Sequence, residues 1–124
     1  MIFKEIDKLK IQKAYMPYYH DHARYYLIKK NNEISCYYGI IDRSDEIGEA
    51  FFICSSFNNK ILSAGFILSL FDHSFNLGYK ELYTWSKWDR LIKFCSYLKK
   101  YGIEKASNPE WDNDPSKLWF KKRI

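Results

Sequence analysis

Residues that staple or punctuate a chain are scarce in this sequence. Its 124 residues include three cysteines, three prolines, five glycines and two methionines. Cys36, Cys54 and Cys95 are odd in number and widely spaced, which excludes a disulfide framework and a zinc site built on cysteine pairs. They read as small buried apolar residues of a reducing compartment. No apolar run is long enough to span a bilayer. The opening MIFKEIDKLK alternates charged and apolar residues, unlike a secretory leader. Repeats, linkers and low-complexity tracts are also missing. These absences lead to the expectation of one soluble, cytoplasmic domain over residues 1–124, with no membrane partner.

What is present is core-forming material. Hydrophobic residues make up 47% and aromatics 19% of the chain, enough to bury a core and too much for global disorder. The net charge of +5 favours acidic partners, either nucleic acid or a phosphate-bearing cofactor. The lysines are spread along the chain, and only the closing KKRI is a basic cluster. RYYLIKKNNEISCYY interleaves aromatics with lysines as single-strand binders do. Its period-two alternation already explains the aromatics as sheet packing, so nucleic acid is not the favoured partner.

Hydrophobic periodicity divides the chain into elements. Residues 1–6 read as a short strand, and Asp7 as the cap of a helix running towards Tyr15, where Pro17 interrupts it. RYYLIKK and ISCYYGIID form a hairpin around Asn31–Asn32. A polar loop, RSDEIGE, precedes the buried strand EAFFICS. From Lys60 the period becomes helical: Ala64, Ile67, Leu68, Phe71 and Phe75 form one stripe, and Gly78 ends the helix. His73 lies on this helix as a structural residue. KELYTW follows closely as a strand, so strand, helix and strand make a βαβ crossover with parallel strands. A second helix begins at Ser86, with Trp88, Leu91, Ile92, Cys95 and Leu98 on its apolar face, and closes at Gly102. A polar loop around residues 108–115 leads to a last strand near residues 117–121. The expected order is β-α-β-β-β-α-β-α-β. It describes an α/β (α+β) domain with a mixed central sheet and helices on both faces.

Two short stretches invite a chemical reading. SSFNNKILS, residues 55–63, lies between a strand and a helix, where free backbone N–H groups and the helix dipole make an anion site. Asn58 and Asn59 tolerate unusual backbone angles and donate hydrogen bonds, and Lys60 adds a charge for phosphate. The alternative is that the asparagines only cap a structural helix. YYHDHARYY places His20 and His22 around Asp21. Alternate histidines converge on one ion only in a strand, and no third ligand accompanies them, so no metal is expected.

The order and spacing of residues 24–104 resemble the GNAT superfamily of N-acetyltransferases. The stretch SSFNNKILSAGFILSLFDHSFN is similar to GNAT-like proteins encoded by tailed phages, including some tied to head assembly. LIKFCSYLKKYGIEK is similar to the family's closing segment. The resemblance implies acetyl-CoA as cofactor, an amine as acceptor, and acetyl transfer by direct attack of that amine on the thioester. Cofactor contacts would fall on Ile53, Cys54 and Ser55 of the fourth strand and on Asn58, Asn59, Lys60, Ile61, Leu62 and Ser63 of the turn and helix start. The family's turn pattern, [Gln/Arg]-x-x-Gly-x-[Gly/Ala], has no glycine counterpart here in any register. Glu49, at the start of the fourth strand, is the candidate base. The family's acid is a tyrosine four residues before the closing glycine; Leu98 stands there, and Tyr97, one residue away, is the candidate. A family asparagine before that helix is replaced by Trp88 or Asp89.

Two functions follow from these residues. One is an acetyl-CoA-dependent N-acetyltransferase. The other is a catalytically silent GNAT-fold protein with a protein partner, such as a phage virion or head-assembly component. The shape of strand four discriminates between them: a V-shaped gap towards strand five, lined by residues 53–55, admits a pantetheine, whereas strands paired throughout exclude it.

Overall fold

The computed structural model describes residues 2–30, 33–53, 64–87 and 99–124. Seven strands form one mixed sheet: β1 (Ile2–Ile6), β2 (Ala23–Lys30), β3 (Glu33–Ser44), β4 (Ile47–Ile53), β5 (Glu81–Ser86), β6 (Ile103–Ala106) and β7 (Leu118–Arg123). Their spatial order is β1-β2-β3-β4-β5-β7-β6. The β4–β5 pair is parallel and the other pairs are antiparallel.

Among the described residues two helices cover opposite faces. In α1 (Lys8–Ala14) the Asp7 carboxylate accepts from the Leu9 N–H at 2.9 Å, the N-cap that the sequence calls for. A short 3-10 turn, Met16–Tyr18, carries Pro17 past its end. Ile11 of α1 is fully buried against Ala23, Tyr25, Ile41 and Ile53. On the other face α2 (Ala64–Asn76) sets Leu70 and Phe71 among Tyr26, Ile28, Tyr38, Ile40, Ala50 and Leu82. Strand residues one apart therefore feed different cores, as the pleat requires. Gly78 ends α2 at φ 110°, a conformation that costs glycine little. The expected crossover, with α2 between parallel strands, is present.

The structure departs from the sequence reading at three places. RSDEIGE is not a loop: β3 runs to Ser44, β4 begins at Ile47, and only Asp45–Glu46 turn. Gly48 lies in the ladder, between Asp42 and Leu82. A Cβ there would come within 3.0 Å of Ile40 and Tyr79, which is tighter than packing allows without movement. Ile103–Ala106 forms an additional strand, β6, held by pairing with β7. The helix expected from Ser86 to Gly102 overlaps residues 88–98, which lie outside the described residues; its expected final turn is a 3-10 turn, Lys99–Tyr101, followed by Gly102 at φ 86°.

Candidate active site

The parallel ladder between β4 and β5 is short. It pairs Ile47 with Glu81, Gly48 with Leu82 and Glu49 with Tyr83, and then stops. β4 continues through Ile53 and β5 through Ser86. Among the described residues no ladder pair joins residues 50–53 to 84–86. β5 is occupied on its other side by β7, with Thr84 opposite Phe120 and Trp85 opposite Trp119. β4 is likewise occupied by β3, with Phe51 opposite Gly39 and Ile53 opposite Tyr37. Among the described residues the β4–β5 ladder thus ends at Glu49 and Tyr83, on the β4 edge that faces away from β3. Such an edge donates and accepts main-chain hydrogen bonds to any extended ligand that carries amides.

Glu49 stands at the end of this ladder and is only 5% exposed. Its Oε1 accepts from Arg43 Nη2 at 2.9 Å, Arg43 Nε at 3.1 Å and Trp111 Nε1 at 2.7 Å. The β3–β4 register shifts between Asp42 and Ser44, leaving Arg43 as a bulged residue. Bulges re-aim side chains, and here the guanidinium reaches both the Glu49 carboxylate and the Trp111 ring, whose centroid is 5.3 Å away. Among the described residues every bond to the carboxylate falls on Oε1.

A continuous aromatic and ionic block extends from Glu49 along β5. The Tyr83 ring meets Trp111 at 5.2 Å and Trp119 at 6.2 Å, edge to face. Trp119 is 1% exposed, and its indole N–H donates to Asp112 Oδ2 at 2.8 Å. Lys117 Nζ lies 3.4 Å from Asp112 Oδ1 and 4.3 Å from the centre of the Trp85 ring. Desolvation would raise the Asp112 pKa, but the Trp119 N–H and the Lys117 ammonium outweigh it and hold the carboxyl below its usual range. The Tyr83 phenol is pushed up to about 12 by burial and by its bond to Glu81.

A separate polar pocket of about 460 Å³ lies at the other end of these strands, around Arg24, Asp42, Arg43 and Tyr79. Arg24 donates to the Tyr79 hydroxyl at 3.1 Å, and that hydroxyl donates to Asp42. Burial and the Asp42 bond push the Tyr79 phenol up to about 12.

Of the residues singled out from sequence, Glu49 and Ile53 are described. Ile53 is buried with Ile11, Tyr25 and Ile41 and pairs with Tyr37 of β3. Cys54, Ser55, Asn58, Asn59, Lys60, Ile61, Leu62, Ser63 and Tyr97 lie outside the described residues. The His20–Asp21–His22 segment is a turn: His22 N–H donates to His20 Nδ1, and the Tyr25 hydroxyl holds both Tyr18 and His20 backbone. Among the described residues no group of three or more His, Cys, Asp or Glu is arranged to hold a metal ion. No helix among them is long and apolar enough to cross a membrane. Sequence reasoning missed Arg43, Trp111, Asp112, Lys117 and Trp119. The available signal was the clustering of all four tryptophans after residue 84, with WD and KLW bracketing a polar loop.

No family model matches the chain, and no curated protein is similar to it. Solved structures are. An IAA acetyltransferase from Bacillus cereus ATCC 14579 superposes with a TM-score of 0.68 at 10% identity, covering 99% of each chain. A GNAT family acetyltransferase from Elizabethkingia anophelis with acetyl-CoA bound gives 0.66 at 17% identity, covering 99% of this chain and 97% of that one. An aminoglycoside 6'-N-acetyltransferase complexed with coenzyme A gives 0.57 at 11% identity, covering 99% and 97%. The mixed sheet, its parallel β4–β5 step and these superpositions over nearly the whole chain show that the protein has the GNAT acetyltransferase fold.

Proposed function

We propose that the protein is an acetyl-CoA-dependent N-acetyltransferase, acting in the cytoplasm on an amine acceptor. The observation that carries this reading is the end of the β4–β5 ladder at Glu49 and Tyr83. Strands that stop pairing there would wall an open cofactor cleft, whereas a closed sheet would pair throughout, and the short ladder supports the open form. Solved neighbours of the same fold hold acetyl-CoA or coenzyme A, which supports the same ligand class here.

The backbone of residues 50–53 would hold the pantetheine arm, as an added strand is held. Cys54 and Ser55 would extend that edge, and Asn58, Asn59, Lys60, Ile61, Leu62 and Ser63 would take the phosphates at the start of α2. Acetyl-CoA supplies an acetyl group already activated as a thioester. Glu49 is the candidate base that takes the proton of the acceptor ammonium. Tyr97 is the candidate acid for the leaving thiolate. Incubation of the full chain with acetyl-CoA and a mixture of primary amines tests this reading. Amine-dependent release of the coenzyme A thiol is expected. Absence of acetyl-CoA binding by calorimetry at millimolar cofactor would sink it.

One observation favours a second reading, a catalytically silent binding or structural protein of the same fold, for example in a phage particle. Arg43 and Trp111 place three donors on one oxygen of the Glu49 carboxylate, which is also how a structural anchor is built. That reading expects a partner protein to co-purify and expects no thiol release.

A further inference from the structure

The Lys117 ammonium occupies a box that suits any alkylammonium group. Its roof is the Trp85 ring, with the centroid 4.3 Å from Nζ, and the Trp119 ring centroid is 5.9 Å away. Its anion is Asp112, 3.4 Å from Nζ and fixed by the Trp119 indole N–H. Aromatic faces with one carboxylate recognise cations through the ring quadrupole and charge together. The anion is preorganised whether or not Lys117 is present, because its other oxygen is held by Trp119. The box is also next to the end of the β4–β5 ladder: Trp85 lies two residues beyond Tyr83, the last paired residue of β5, and Tyr83 packs on Trp119.

Lys117 is largely buried in this box. Its contact with Asp112 is nonetheless long for a charge-assisted hydrogen bond, and 21% of its side chain stays open to solvent. It projects from the loop just before β7, where its N–H donates to the Asp114 carbonyl at 3.3 Å. A lysine side chain is itself a primary alkylamine, so the protein supplies from its own chain a stand-in for the molecule the box fits. We infer that the Trp85–Trp119–Asp112 box is the ammonium subsite for an aliphatic amine acceptor, and that Lys117 fills it until such an amine displaces it. The inference rests on the N-acetyltransferase reading for the role of the amine, and on the box alone for its binding.

Putrescine, a straight-chain diamine, is the probe, titrated into the full chain while tryptophan fluorescence is followed. Lys117→Met empties the box, and Lys117→Gln is a second, more polar variant in case the first folds poorly. Both are expected to bind putrescine about tenfold more tightly than the unchanged chain, in line with the strength of a partly buried cation–aromatic contact. Adding Trp85→Leu to either variant is expected to abolish the gain, and n-butanol is expected not to bind. Equal affinity in the unchanged chain and both lysine variants would overturn the inference, as would a gain that survives Trp85→Leu. Acetyl-CoA is titrated into the same samples. If putrescine tightens while acetyl-CoA fails to bind, the transferase reading falls and the box stands. If acetyl-CoA binds while putrescine does not tighten, the box falls and the transferase reading stands.

Discussion

Replacing Arg43 with methionine keeps much of the aliphatic stem and removes the ionic partner of Glu49. Glu49 is 5% exposed, whereas the Arg43 side chain is 23% exposed. Breaking a fully buried pair by deleting one partner costs about 3–5 kcal/mol, and an exposed pair contributes about 1 kcal/mol or less. The partly exposed guanidinium puts this pair between those limits. The Trp111 N–H, 2.7 Å from the same oxygen, still solvates the carboxylate in the variant and limits the loss. A destabilisation of about 2 kcal/mol follows, which for a domain of this size lowers the Tm by roughly 8 °C. Glu49→Gln in the Arg43→Met background retains an acceptor for Trp111 and deletes the stranded charge. It should recover about 1 kcal/mol, a non-additivity typical of contacting residues. Urea denaturation of the single and double variants, with a constant m-value as the check on two-state behaviour, measures both quantities. A loss below about 0.5 kcal/mol for Arg43→Met, in the range of exposed pairs, would refute the claim that the bulge exists to bring Arg43 onto Glu49. A double variant no better than the single one would do the same.

Two further outcomes follow from the packing. A Cβ at Gly39 would overlap the Phe51 ring and approach Tyr25 at 2.9 Å, so Gly39→Ala should cost about 1–3 kcal/mol in thermal unfolding, with part of the loss returned by Phe51→Leu. His73 is stacked on Phe3 at 4.4 Å and bonded to the Tyr38 hydroxyl, and burial followed by the Arg24 charge lowers its pKa. Because the folded chain resists protonation that the unfolded chain accepts, stability is full above the ordinary histidine pKa of about 6.5 and falls as the pH drops through that value towards the lower folded one. His73→Phe should flatten the stability curve between about pH 7 and pH 5, and an unchanged slope would show that His73 does not contribute to it.

The parts of this fold legible in the sequence are those whose signal is local. Alternating aromatics in RYYLIKK mark a strand with two buried faces, and the stripe through Leu68, Phe71 and Phe75 marks a helix. Ile103–Ala106 was illegible because Glu104 and Lys105 give it no apolar pattern; it is a strand through its pairing with β7. RSDEIGE misled for a related reason: Arg43 and Glu49 are strand residues on either side of the two-residue Asp45–Glu46 turn, and their ion pair joins the strands across it. The surroundings of Glu49 are only partly legible: its place in a buried strand is readable from EAFFICS, and its bonding partners are not. Its partner Trp111 lies 62 residues away, and no local pattern reports a contact made by a loop folding over β5 and β7. The box around Lys117 was hidden in the same way, since Trp85 and Lys117 meet only through the β5–β7 register.

The central claim is that the gap between β4 and β5 receives acetyl-CoA. Amide chemical-shift mapping of the isotopically labelled full chain during an acetyl-CoA titration addresses it most directly. Saturable shifts at Ala50, Phe51, Phe52 and Ile53 on one edge, and at Thr84 and Trp85 on the other, are the predicted result. The absence of shifts at millimolar acetyl-CoA, or shifts confined to the basic end of β7, would contradict it.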